Sequence, residues 1–267
     1  MQNSYLFLVC ILTLFINIIG ISALSARIVG TRTRRLASSI SLFNIIVLFA
    51  QFSNTIQAPL LTKFIESNIS IDSQSIELVF RIIIFSGTIG ATLGAILIPT
   101  AHRFMEKGVK ALYQRQSVFA VVIASFNKST IIHAKNSFTL PRKNNFFRLL
   151  KIKDINKSIV LLNVVVYSFS TVSVLSCLYA GFLLPSLRLT ALSMSGIANG
   201  ISSLGMLLFI EPYNAILTDK VIEGSITEGY FRKHLTWVVF ARILGTIFAQ
   251  IVFIPLALFI NKLVVWF

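Results

Sequence analysis

The stretch SYLFLVCILTLFINIIGISALSA (residues 4–26), followed at once by RIVGTRTRR (residues 27–35), decides the fold. The first run carries no charged residue and is long enough to cross the hydrocarbon of a bilayer, which takes about 20 mainly apolar residues in a helix rising about 1.5 Å per residue. Its closing ALSA resembles a small-residue cleavage site. A signal peptide, however, carries its positive charge before the apolar run, and here the arginines come after it. The segment therefore reads as a retained membrane helix, with a basic connection behind it.

The same pattern recurs outward from this stretch. Apolar runs of spanning length cover residues 36–58, 78–101, 159–184, 189–210 and 235–260, so the expected fold is an all-α integral membrane bundle of about six transmembrane helices in one polytopic domain. Composition agrees: 55% of the 267 residues are hydrophobic, only 12% are charged, and the mean hydropathy is +0.83. A soluble domain carries about a quarter charged residues. The net charge of +15 would suit a nucleic-acid binder, but the basic residues flank apolar runs and do not interleave with aromatics on a soluble surface. Anionic lipid headgroups are the expected electrostatic partner, and nucleic acid is not.

Charge also orients the bundle. The connections after the first, third and fifth runs hold 19 of the 24 lysines and arginines, among them Arg27, Arg32, Arg34 and Arg35. In a six-helix chain these connections share one side, which the positive-inside rule assigns to the cytoplasm, leaving both termini outside. Residues 103–158 form the expected basic cytoplasmic loop. Within it SVFAVVIASF (residues 117–126) is apolar but too short to span, and reads as an interfacial helix.

The spans carry polar groups that hydrocarbon would penalise. In the second, Ser41, Asn44, Gln51 and Asn54 fall on one broad face, fit either for hydrogen bonds between helices or for a hydrophilic pathway. Pro59 is expected to end that span. The third holds Gly87, Gly90 and Gly94, and the fifth Gly196 and Gly200 with Asn199 between them. Small residues at such spacing let helix backbones approach closely. Arg81 lies one turn inside the outer end of its span and Arg242 about two turns inside the sixth, with Gln250 near mid-membrane. An arginine within a span marks a partner or a pathway. Glu211, with Pro212 closing the fifth span, is the expected partner of Arg242.

Several chemistries are absent. GSITEGY (residues 224–230) begins like a phosphate-binding loop but has Tyr230 where the lysine must stand. His102, His133 and His234 have no metal-ligand spacing, and Cys10 and Cys177 lie in apolar runs as inert thiols. No catalytic residue, metal or cofactor is expected.

The stretches at residues 23–45 (ALSARIVGTRTRRLASSISLFNI), 53–61 (SNTIQAPLL), 87–100 (GTIGATLGAILIPT), 178–203 (LYAGFLLPSLRLTALSMSGIANGISS), 211–219 (EPYNAILTD) and 242–250 (RILGTIFAQ) together resemble the Amj-type lipid II flippase family, an alternative to the MurJ flippases. The resemblance touches all six expected spans in order and is weakest in the central basic loop. It implies a bacterial cytoplasmic-membrane protein of peptidoglycan synthesis that moves lipid II, undecaprenyl-diphosphate-linked disaccharide-pentapeptide, from the inner to the outer leaflet. Such a protein must offer a polar, partly cationic path, because each unsatisfied polar group in the bilayer core costs several kcal/mol. Arginine suits diphosphate through its planar fork of donors. On that view Arg27, Arg32 and Arg34 capture substrate, Arg242 stands along the path, and Arg81 and Arg188 mark the outer mouth. Asn44, Gln51, Asn54, Asn199, Glu211 and Gln250 supply polar lining. The small-residue faces of the third and fifth spans predict a homodimer. Two other readings stay open: a non-enzymatic scaffold or insertion subunit, and a lipid-modifying transferase drawing on Glu211, Asp219, Glu223 or Glu228.

Overall fold

In a bilayer core the backbone must satisfy its own polar groups, which long apolar runs achieve as helices. The computed structural model describes residues 2–67, 72–117, 139 and 155–266, and among them every regular element is helical. In chain order these are α1 (Gln2–Ser22), α2 (Ser25–Thr33), α3 (Leu36–Glu66), α4 (Ser73–Arg115), α5 (Lys157–Leu183), a 3₁₀ turn (Pro185–Leu187), α6 (Arg188–Gly205), a π-helical turn (Met206–Ile210), α7 (Glu211–Ile222) and α8 (Glu228–Trp266). Six stretches are long and apolar enough to cross a membrane, with α1–α2 forming one and the 3₁₀ turn through α7 another. The chain is a multi-pass membrane protein.

Four boundaries differ from those expected, each for a local reason. The arginine-rich residues after the first span are not an open loop. The chain breaks at Ala23 and Leu24 and resumes as α2, whose Ala26 and Val29 pack against Met105 and Val109 of α4. Arg34 ends α2 in the left-handed region at φ 53°. Pro59 does not end the second span; α3 runs on to Glu66, as membrane helices tolerate proline. The third span, expected to stop near Ala101, continues as helix to Arg115. Met105, Val109 and Leu112 recur on one buried face there, and Glu106 bonds Lys110 one turn on at 2.8 Å. The basic loop is therefore helical at its start, while the predicted interfacial helix lies outside the described residues but for Ser117. Finally, Glu211 and Pro212 do not close the fifth span. Pro212 lacks the N–H that Leu208 would need, the chain widens into the π turn with the Glu211 N–H bonded to the Met206 carbonyl, and α7 carries on.

Lipid is as apolar as a leucine-rich helix, so close packing rather than hydrophobic exclusion holds such a bundle together. The glycines of α4 serve α1: a Cβ on Gly90 would collide with the backbone of Leu14, and one on Gly94 would stand 3.0 Å from the Ile18 carbonyl. Likewise Gly245 of α8 lets α5 approach, its missing Cβ 3.0 Å from the Val164 carbonyl. Toward the end of the bundle away from the basic residues, Phe80, Tyr179 and Phe253 meet at centroid separations of 5.3–5.8 Å, joining α4, α5 and α8. The glycines of α6 differ. Among the described residues, added Cβ atoms at Gly196 and Gly200 would meet nothing within 4 Å, so of the two faces expected to support a dimer, that of α4 is taken up inside the chain and that of α6 stays open.

Candidate functional site

Helix α2 sets one guanidinium beneath the basic end of the bundle. Arg27 is only 9% exposed, wedged with its charge over the Phe43 ring at 5.1 Å, and ion-paired with Glu211 at the start of α7. Next on the same face of α7, Asn214 holds the buried His234 of α8 at 2.8 Å. The expected Glu211–Arg242 pair does not form: among the described residues no carboxylate lies within 4 Å of Arg242. The reason is the unforeseen helix α2, which brings Arg27 to Glu211 first.

Arg242 is 6% exposed and reaches the Gly20 carbonyl, at 3.3 Å, where α1 nears its end. Its charge stands over the Tyr167 ring, 5.2 Å from the centroid. Among the described residues, the Nε of both Arg27 and Arg242 and the Nδ2 of Asn214 find no acceptor though buried. From Tyr167 a polar line continues along α1. The Tyr167 hydroxyl approaches Asn17 Oδ1 at 3.5 Å, Asn17 Nδ2 donates to the Thr13 carbonyl at 2.9 Å, and Gln57 Nε2 of α3 donates to Thr13 Oγ1 at 2.6 Å. These groups border a cavity of about 130 Å³ between α1, α3 and α5, which Asn54, Ser170 and Thr171 also line. The arrangement is a seam of donors and fixed positive charge between helices.

Further along α8, Gln250 and Arg81 clasp each other: Arg81 Nη1 donates to the Gln250 carbonyl at 3.0 Å and Gln250 Nε2 to the Arg81 carbonyl at 2.9 Å. Glu77 anchors Arg81 at 2.7 Å. Arg27, Arg242 and Arg81 thus stand at successive levels beside α8, with His234, Arg242 and Gln250 each about 12 Å apart along its axis at 1.5 Å per residue.

The other expected residues lie outside this line. Arg32 and Arg34 are exposed at the basic end, where Arg32 approaches Glu228 at 3.6 Å and His102 at 3.3 Å. Arg188 opens α6 beside Gly181, and Asn199 accepts from Ser173 at 3.4 Å. Asn44 and Gln51 face outward from α3, while Asn54, though exposed, borders the cavity. The buried amide of α3 is Gln57, which the sequence reading passed over, as it did Thr13, Asn17, Tyr167 and Asn214. The signal available was the single amide inside the first apolar run, at Asn17; Gln57 shares its run with Asn44, Gln51 and Asn54 and does not stand out. Among the described residues no cluster of His, Cys, Asp or Glu could hold a metal ion. A seam of this kind can take up an anionic, hydroxyl-rich group, since among the described residues Glu211 alone of the carboxylates is bonded to Arg27 or Arg242.

A family model described as Amj, alternate to MurJ, matches residues 12–264. A protein of Bacillus subtilis (strain 168) named lipid II flippase Amj is 33% identical over 266 residues, covering 99% of this chain and 98% of that protein. No solved structure matches.

Proposed function

Because the chain belongs to the Amj (alternate to MurJ) family, we propose that it is a lipid II flippase. It moves undecaprenyl-diphosphate-linked disaccharide-pentapeptide from the inner to the outer leaflet of a bacterial cytoplasmic membrane, without bond-breaking chemistry of its own. The observation that carries this reading is Arg242: a guanidinium buried among the spans with, among the described residues, no carboxylate partner, at the head of a polar seam. An arginine in a span is costly, by about 3 kcal/mol or more, and by default serves a partner or a pathway. A diphosphate supplies the acceptors it lacks.

The basic end faces the cytoplasm on this reading, with both termini outside. Arg32 and Arg34 draw the diphosphate in from the inner leaflet, and anionic lipids gather at the same end. Arg27 and Arg242 hold it in the seam, where the amides of Asn17, Asn54 and Gln57 meet sugar hydroxyls, and Arg81 with Gln250 receives it near the outer leaflet. Arg188 and Asn199, off this line on α6, offer further polar contacts to the headgroup beside it. A cavity of about 130 Å³ holds a few water molecules and no disaccharide, so passage requires α3 to part from α5. The polyprenyl tail stays in lipid at that lateral opening. A homodimer through the open face of α6 completes the reading.

The test is reconstitution of the purified chain alone into liposomes, following headgroup accessibility of labelled lipid II, with rescue of cells depleted of their other lipid II flippase as the cellular counterpart. Transport in both assays supports the flippase. A folded, inactive sample that fails to rescue turns the reading toward a scaffold or insertion subunit.

A further inference from the structure

Resting on that reading, we propose that Glu211 is an exchangeable counter-ion: it occupies Arg27 in the empty protein, yields it to the substrate's diphosphate, and takes it back to release the substrate. The first ground is the balance of charge. The seam holds two buried guanidiniums, Arg27 and Arg242, and among the described residues one carboxylate bonded to either. A dianionic diphosphate added to this set leaves the site one negative charge in excess while Glu211 stays, and neutral when it leaves. In a medium of low dielectric that excess is costly, so uptake of the diphosphate and departure of Glu211 are coupled.

The second ground is the donor inventory. Among the described residues, Arg27 Nε, Arg242 Nε and Asn214 Nδ2 all lie buried with no acceptor. A purely structural ion pair would be expected to have its surrounding donors satisfied, since a buried polar group without a partner costs free energy. These donors instead wait for a ligand with more oxygen atoms than one carboxylate has.

The third ground is which member of the pair can move. Arg27 lies in α2, packed between α3 and α4, 9% exposed and held over Phe43. Glu211 is 25% exposed, follows directly on the π turn Met206–Ile210, and precedes Pro212. A one-residue change of helical register at that turn, of the kind π turns permit, swings Glu211 about the axis without disturbing α2. The cation is fixed and the anion is mounted on a joint.

The experiment uses the full chain and lipid II in two measurements, binding in detergent and transport in liposomes of phosphatidylethanolamine and phosphatidylglycerol. Glu211→Gln, which removes the charge and keeps the shape, is expected to bind lipid II about tenfold more tightly and to transport it about tenfold more slowly. Glu211→Asp, which keeps the charge, restores most of the transport. Arg27→Gln loses both binding and transport. A structural role for the pair moves binding and rate down together, so E211Q with weaker binding, or with neither quantity changed, overturns the proposal. Should E211Q fail to fold, E211D carries the test: weaker binding than wild type overturns the exchange, and binding as tight or tighter with transport retained upholds it. Wild-type protein that moves no lipid II defeats the flippase reading itself, whereas wild-type transport with E211Q unchanged defeats this inference alone.

Discussion

Arg242 spends stability that an ordinary core residue would not. A guanidinium with one long bond to the Gly20 carbonyl and, among the described residues, no acceptor for its Nε sits among apolar spans, where an arginine costs about 3 kcal/mol or more that an apolar side chain of similar size does not. Arg242→Met is therefore expected to raise the thermal midpoint in detergent while reducing lipid II transport at least tenfold. A variant that melts earlier than wild type would mean that Arg242 is structural. The opposite relation holds at Arg81, whose clasp with Gln250 and bond to Glu77 satisfy it well. The residues themselves were partly legible in the sequence. An arginine inside an apolar run is conspicuous wherever it packs, as Arg81 and Arg242 are, whereas charge marked Arg27 and Glu211 without marking the burial of the one or its pairing with the other. Gln57 was not legible, because one amide among Ser53, Asn54, Thr55 and Gln57 looks like its neighbours until the face turned inward is known.

Helices in this bundle meet through what side chains leave out. Along α4, Gly87, Gly90 and Gly94 line the contact with α1, and α1 in turn carries Thr13 and Asn17 into the seam. Gly90→Val would push α1 away and is expected to cost about 1–3 kcal/mol, the range for overpacking a filled interface, with a lower thermal midpoint and reduced transport. Gly196→Ala on α6 is the control, since its Cβ points into open space; a midpoint equal to wild type is expected there, and equal losses at both sites would contradict the packing described. The glycine spacing on α4 and α6 was visible in the sequence, but not the difference between them. Both patterns satisfy the same rule, and only the neighbour that arrives decides which is consumed within the chain. Helix α2 shows the same limit: an arginine-rich stretch reads as a loop until Ala26 and Val29 find Met105 and Val109.

The bundle as a body presents one basic end, one open small-residue face and a polar line that runs from Arg242 past Tyr167 to the cavity beside Asn17 and Gln57. If α6 meets a second copy, Gly196→Leu with Gly200→Leu should leave the monomer folded and shift the native mass in mild detergent from dimer to monomer; a wild-type protein already monomeric there removes the dimer. Transport also has an electrical sign. A headgroup carrying about two negative charges gains roughly 2.3 kcal/mol per charge per 100 mV on leaving a negative interior. An inside-negative potential imposed on liposomes should therefore bias labelled lipid II outward and an inside-positive one inward, read as the final fraction accessible from outside. A distribution indifferent to potential would show that no net charge crosses, as when two compensating positive charges travel with the diphosphate.

Membrane class, the number of spans, the basic end and family membership were determined by the sequence by itself, because each sums over many residues and survives errors in any one. Hydropathy needs only composition within a window, and charge asymmetry needs only the order of the runs. The identity of the ion pair was decided by tertiary structure alone: Arg27 and Glu211 stand 184 positions apart, and Arg242 was an equally good partner on paper. So was the choice of Gln57 over Asn44 and Gln51 as the amide turned inward. The physical reason is common to both. In water a helix advertises its buried face by amphipathicity, but in lipid both faces are apolar, and which one turns inward depends on shape complementarity between helices that only the folded bundle reveals.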